Sequence, residues 1–142
     1  MFLTRECDYG VRVIRALADD TKKTVETIAT EEHIPQKYAY KIIKKLERAG
    51  FVQSTRGRIG GHRIQKPLST FTLRDVLLAI DDDRYVNECL RDESTCPFKK
   101  HEDEDRACTV HCELVRIQEL VMRELGSKTM EEVLKMKDEG HV

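Results

Sequence analysis

Four of the five cysteines fall within CLRDESTCPFKKHEDEDRACTVHC, residues 89–112, together with two histidines and a run of acids. Deprotonated sulfur is a soft donor, and iron–sulfur clusters are held mainly by cysteine thiolates. Cys89, Cys96 and Cys108 are spaced C-x6-C and C-x11-C, and Cys112 follows Cys108 by four residues. The N-terminal MFLTRECDYG has no apolar signal region, so a cytoplasmic protein is expected. Thiols stay reduced there, and grouped cysteines serve as metal ligands or redox groups more often than as bridges. Four thiolates could close a tetrahedral zinc site, but zinc layouts usually pair cysteines two residues apart, and none are so paired here. A thiol switch without metal is a third reading of the stretch. Cys7 and Cys112 also read as small hydrophobes, and the acids of HEDEDRA as loop solvation.

The charge balance points to a second chemistry. The net charge of -1 combines 14 Lys+Arg against 8 Asp+Glu in residues 1–69 with 11 against 18 in residues 70–142. Residues 35–66 are the sharpest part, with nine basic residues and one acid, Glu47. Such a segment can face a polyanion; the acidic half cannot. In PQKYAYKIIKKLERAG, helical spacing places Ala39, Ile42, Ile43, Leu46 and Ala49 on one face. Lys37, Tyr38, Tyr40, Lys41, Lys44, Lys45 and Arg48 fall on the other. Lys37, Lys41 and Lys44 can reach phosphates or base edges, and Tyr38 and Tyr40 can do either. A basic amphipathic helix alone reads equally as a solvated face. What favours DNA is the arginine-bearing RGRIGG that follows, because Arg56 and Arg58 on a glycine-flanked tip suit a narrow minor groove.

The elements that must position these groups are mostly helical. Residues 8–20 place Val11, Ile14, Leu17 and Ala18 on one helical face. Thr24 can cap a short helix, VETIATEEH, with Ile28 and Ala29 inward. Ile34-Pro35 breaks the chain before the basic helix, and Gly50 suits its C-terminal cap. Phe51–Thr55 and His62–Lys66 read as the arms of a hairpin. Thr72 and Asp75 form a capping box for TLRDVLLAID. A long helix runs to about Leu125, with Val110, Leu114, Ile117, Val121 and Leu125 stepping by four, three, four and four before Gly126. That stripe suits packing against a twin helix in a homodimer, or else against the chain's own body. Thr129 and Glu132 box a last short helix, and KDEGHV reads as a frayed tail. No run approaches ~18 apolar residues, so no membrane span is expected.

Two short helices joined by a tight break and followed by a hairpin describe a winged helix-turn-helix. The predicted fold class is mainly α with a small β-hairpin. Its parts are a DNA-binding domain over 1–80, a cysteine-containing loop over 81–106, and a dimerisation helix with tail over 107–142. The order LTRECDYGVRVIRALA, IPQKYAYKIIKKLERAGFVQSTRGRIGGHRI, TLRDVLLAI, cysteines and a long helix resembles the IscR/NsrR group of bacterial repressors, the Rrf-two family, from residue 3 to about 134. The resemblance implies a homodimer that binds a double-stranded DNA operator and controls transcription. It places Tyr40, Lys41 and Arg56 at base-reading positions and Lys37 and Tyr38 at backbone-contacting ones. Family members often carry Tyr where this chain has His62, and a carboxylate or amide in place of Tyr40 and Lys41, so the operator is not transferable. Lys44, Arg58 and His62 complete the expected DNA-facing set.

The same resemblance implies that Cys89, Cys96 and Cys108 hold an iron–sulfur cluster, with a four-iron cluster favoured over a two-iron one. The second cysteine gap is longer than in the family. One subgroup takes its fourth ligand from a histidine three residues after the last cysteine, the position of His111. Another takes it from an aspartate near the N-terminus of the partner subunit, the position of Asp8, and Asp8 is favoured because TRECDYG resembles that subgroup. The expected function is a homodimeric repressor sensing redox, nitric oxide or iron status. A DNA-binding regulator using a thiol switch or a protein partner is the alternative in the same class. A small metal or redox protein that binds no DNA is the alternative in another, and the basic 35–66 segment argues against it. No phosphate-binding glycine loop or nucleophile–base pair points to an enzyme.

Overall fold

Thr4 starts the first helix. In the computed structural model, which describes residues 4–58, 60–83, 85–91 and 108–135, its hydroxyl accepts the amide of Cys7 and α1 runs Arg5–Ala16. A threonine in this place satisfies one of the amides that a helix start leaves unpaired. The expected helix over 8–20 therefore begins earlier, and it ends earlier too, with Asp20 in the left-handed region at φ 57°. The inward face changes with it. Cys7, Gly10, Val13, Ile14 and Leu17 are buried, while Val11 and Ala18 lie half-buried at its edge. Gly10 permits the close crossing of α1 over the helix Leu73–Ile80, since a Cβ there would sit 2.6 Å from Ile80 Cγ1.

Helix α2, Val25–Glu31, is capped by Thr24 as expected, and Ile28 and Ala29 point into the core. The turn after it is made by His33 at φ 52° and by the Ile34 amide donating to Ala29 O at 2.9 Å. Pro35 then caps α3, Gln36–Arg48, which turns Ala39, Ile42, Ile43 and Leu46 inward without exposure. Truncating a side chain like Leu46 to alanine in such a site costs about 2–5 kcal/mol. Gly50 closes the helix at φ 76°, a conformation with little penalty only for glycine. Arg15 forks onto the carboxylate of Glu32, and Arg12 donates to Glu32 O at 3.2 Å, so α1 is tied to the end of α2.

Strands β1, Val52–Thr55, and β2, Gly61–Ile64, form an antiparallel hairpin in the register Val52↔Ile64 to Thr55↔Gly61. The arms are slightly shorter than the sequence suggests. Lys23 adds a bridge to the outer edge of β2: its amide donates to His62 O at 3.0 Å and its carbonyl accepts from His62 N at 2.7 Å. Gly61 permits this approach, because a Cβ would lie 2.9 Å from Lys23 O. The wing is thus hydrogen-bonded to the α1–α2 connection.

Helix α4, Leu73–Ile80, carries the expected Thr72/Asp75 capping box. Helix α5, Thr109–Leu125, ends at Gly126 as expected and buries none of its side chains. Helix α6, Met130–Lys135, starts with the reciprocal Thr129/Glu132 bonds and returns to the body. Met130 is fully buried in the common core, and its amide donates to Phe71 O at 2.8 Å. The expected tail lies outside the described residues. No described helix is long and apolar enough to cross a membrane.

Candidate nucleic-acid interface

The outer face of α3 presents the side chains expected to meet DNA. Tyr40 is 57% and Tyr38 46% exposed, and Lys37 and Lys41 are exposed beside them. Tyr38 leans toward α1, its ring centroid 5.9 Å from that of Tyr9. Lys44 lies over the Tyr40 ring at 5.7 Å, a cation–π approach that keeps both groups at the surface. The core face of the helix fixes these directions, because rotating α3 would expose Ile42, Ile43 and Leu46.

Arg56 and Arg58 are exposed at the hairpin tip. Gly57 takes φ 115°, and a Cβ on Gly60 would meet Thr55 O at 2.7 Å and Gly57 O at 2.9 Å. The tip can therefore be narrow only with glycines at both places, and the narrowness brings the arginines to its edge. Between the wing and α3 lies an open groove of about 550 Å³ whose lining includes Lys44, Glu47, Ser54, Arg56 and His62. The His62 side chain is largely covered. Its imidazole is 12% exposed, with Nδ1 3.3 Å from Ser54 Oγ and 3.2 Å from Glu47 Oε1. The second approach lacks hydrogen-bond geometry, and Glu47 Oε1 has no hydrogen-bond partner among the described residues.

Acids neutralise part of this face. Glu47 Oε2 accepts from Lys44 Nζ at 2.7 Å, and that bond raises the Lys44 pKa. Glu6, from α1, binds both Lys41 and Lys45, which holds its carboxyl below the ordinary range. Sequence reasoning set Lys45 on the outer face without including it in the DNA-facing set, and it missed Glu6 and Lys23. Glu47 stood out as the one acid in its segment, but Glu6 lies 35 residues from Lys41 and no helical spacing relates them.

The cysteines are less gathered. Cys89 is half-buried in a short 3₁₀ turn, Glu88–Leu90, where its amide donates to Asn87 Oδ1 at 3.2 Å. That turn packs on α5, and nearby Val86 N donates to Gln118 Oε1 at 3.0 Å. Cys108 caps α5 without a side-chain cap bond and is exposed, as is Cys112 one turn on; both are free thiols. His111 is half-buried in that first turn. Asp8 is exposed on α1 and pairs with Arg12 at 3.0 Å. Cys96 lies outside the described residues. Among the described residues, no three potential ligands form a metal-binding group. Cys7 is buried beside Leu77 O at 3.9 Å, in keeping with a core role.

A basic helix presented after a tight turn, with an arginine-tipped hairpin beside it, defines a winged helix-turn-helix protein. The chain belongs to the Rrf2 family, described as iron-dependent transcriptional regulators, whose model matches residues 3–136. The family consists of DNA-binding regulators rather than enzymes. Protein aau3 of Rhizobium meliloti is 35% identical over 101 residues, covering 69% of this chain and 66% of that protein. Protein rrf2 of Nitratidesulfovibrio vulgaris is 29% identical over 100 residues, covering 68% and 67%. The chain thus spans about two thirds of the length of these curated relatives.

Solved structures share the fold. CymR (YrzC), the global cysteine regulator of B. subtilis, superposes with TM-score 0.72 at 23% identity, over 96% of this chain and 98% of that one. IscR of T. potens gives TM-score 0.72 at 17% identity, over 99% and 91%.

Proposed function

We propose that this chain is a homodimeric DNA-binding repressor whose operator affinity depends on an iron–sulfur cluster. The observation that carries the DNA half is the outward face of α3, with Tyr40 and Lys41 exposed beside the Arg56/Arg58 tip. In this reading α3 enters the major groove, Lys37 and Tyr38 contact the backbone, and Tyr40, Lys41 and Arg56 read base edges. Lys44 adds a phosphate contact, Arg58 follows the minor groove, and His62 supports the wing from below. Residues 1–80 supply this unit.

The dimer half rests on α5, which exposes Val110, Ile117 and Leu120. A second copy of the same helix would cover them, setting the two α3 helices at a fixed spacing on the operator. Residues 81–106 would supply cysteine ligands and 107–142 the dimerisation segment, in which Met130 returns to the common core.

For the cluster, the donor set fits. Cys89 and Cys108 are free thiols on the turn and the helix that pack together, and Cys96 lies between them in sequence. These three would hold a four-iron cluster in preference to a two-iron one. Asp8 of the partner subunit would be the fourth ligand, with His111 as the alternative. The cluster would supply a centre sensitive to oxidation, nitric oxide or iron supply. Cys89 and Cys108 would fix the loop to α5, and Asp8 would extend that link to α1, which packs directly on α3. The family's description as iron-dependent supports this reading. A thiol-based switch is the second reading, favoured by Cys108 and Cys112 standing exposed one turn apart.

The DNA half is tested with a fluorescein-labelled 30-bp duplex (~30 bp covers two half-sites a helical turn apart). Binding should be measurable at 50 mM KCl and fall by about 10³-fold or more at 200 mM, as six to ten phosphate contacts require. A weak, salt-insensitive association would favour a metal or redox protein that binds no DNA.

A further inference from the structure

Glu6 stands where α1 begins, yet both of its oxygens serve α3. Oε1 accepts from Lys41 Nζ at 2.5 Å and Oε2 from Lys45 Nζ at 2.8 Å. Lys45 is also held by Ile80 O at 2.7 Å. Lys45 thus has two anchors and joins three helices. Among the described residues Lys41 has this one ion pair, and it is 55% exposed, against 27% for Glu6. Two oxygens of one anion on two ammonium groups of a basic helix face is what a DNA phosphate would present.

We propose that Glu6 is a positioning residue that occupies Lys41 in the free protein and competes with DNA for it. This rests on the DNA-binding reading above. A half-exposed ion pair is weak, so the dense charge of a duplex can displace it. The displacement nevertheless subtracts from binding, because the freed carboxylate oxygen must be neutralised by a cation taken back from solution. Glu6 therefore lowers affinity for any duplex. It favours sites where a base edge or a well-placed phosphate compensates Lys41 for the lost partner. Lys45, with its second anchor on Ile80 O, stays in place as part of the scaffold.

The test uses the full chain and a fluorescein-labelled 30-bp duplex of mixed sequence (~30 bp, two half-sites a turn apart), titrated between 50 and 200 mM KCl. Glu6→Gln should bind roughly three- to tenfold more tightly at 50 mM, with the log–log salt slope steeper by about 0.9 per protomer, because Lys41 then meets the DNA without freeing a carboxylate that takes back a cation. Glu6→Ala should act in the same direction. The gain should vanish when Lys41 is also replaced, so Glu6→Gln/Lys41→Gln should bind no better than Lys41→Gln. A purely structural ion pair would lower the melting temperature and leave slope and affinity unchanged or weaker, which overturns the proposal. A gain that survives in the double variant overturns it as well, since Lys41 would not be the competed group. If the wild-type chain binds this duplex without salt dependence, the DNA-binding reading itself fails, and the proposal with it.

Discussion

Replacing Lys41 and Lys44 together with alanine is expected to weaken duplex binding by roughly a hundredfold near 100 mM salt and to flatten the salt slope by about two in a dimer, the phosphate contact of Lys44 from each protomer. Both ammonium groups sit on the outer face of α3, Lys41 tethered by Glu6 and Lys44 by Glu47. Neither contributes to the core, so melting should change little, within about 0.5 kcal/mol for exposed substitutions. The slope separates this outcome from a general loss of fold, because each phosphate contact removed lowers it by a fixed increment. Anisotropy titrations at four salt concentrations measure both quantities. An unchanged slope would mean that the basic face of α3 does not meet the phosphates.

Cys96→Ala is expected to remove the visible chromophore of anaerobically purified protein and to cut bound iron and sulfide at least about tenfold. With three thiolates proposed as ligands, losing one leaves two, and even outer partners of a metal site are worth 10–100-fold in affinity. Cys108→Ala should do the same, whereas Cys112→Ala should retain the chromophore. The pair of results distinguishes a ligand from a neighbouring thiol. A chromophore that persists in Cys96→Ala removes that residue from the ligand set.

Much of the fold could be read from the chain because its signals are local. The Thr24 cap, the Ile34-Pro35 break, Gly50, the Thr72/Asp75 and Thr129/Glu132 boxes and the end of α5 at Gly126 each involve residues within a few positions of one another, and each is where it was expected. The family resemblance reinforced the same order of elements, and the family match now spans residues 3–136.

The start of α1 shows where local reading stops. An apolar pattern beginning at Val11 suggested a helix from Asp8. Thr4, three residues before Cys7, caps it earlier, and Cys7 and Gly10 extend its buried stripe toward the N-terminus. Cys7 reads as a ligand as readily as a small hydrophobe, and Gly10 has no side chain, so neither extended the apolar pattern.

The candidate interface was legible as a face but not as a network. Helical spacing gave the outward set of α3. It could not show that Glu6 reaches Lys41 and Lys45, that His62 is tucked between Ser54 and Glu47, or that Lys23 pairs with the wing. The Glu6 and Lys23 contacts join segments tens of residues apart, and only the packing of α1, α3 and the hairpin brings them together. Cysteine spacing likewise proposes ligands without placing them, and with Cys96 outside the described residues the three are not seen as one group.

A DNA-binding regulator governed by an iron–sulfur cluster must carry iron and sulfide, and metal analysis of protein purified without oxygen decides whether it does. Iron and acid-labile sulfide should be present in equal amounts, near four of each per protomer for a four-iron cluster (~4, from the cluster type), with little zinc. Zinc alone, or no metal together with intact salt-dependent DNA binding, would contradict the cluster and leave a DNA-binding regulator that senses by thiol chemistry or through a partner.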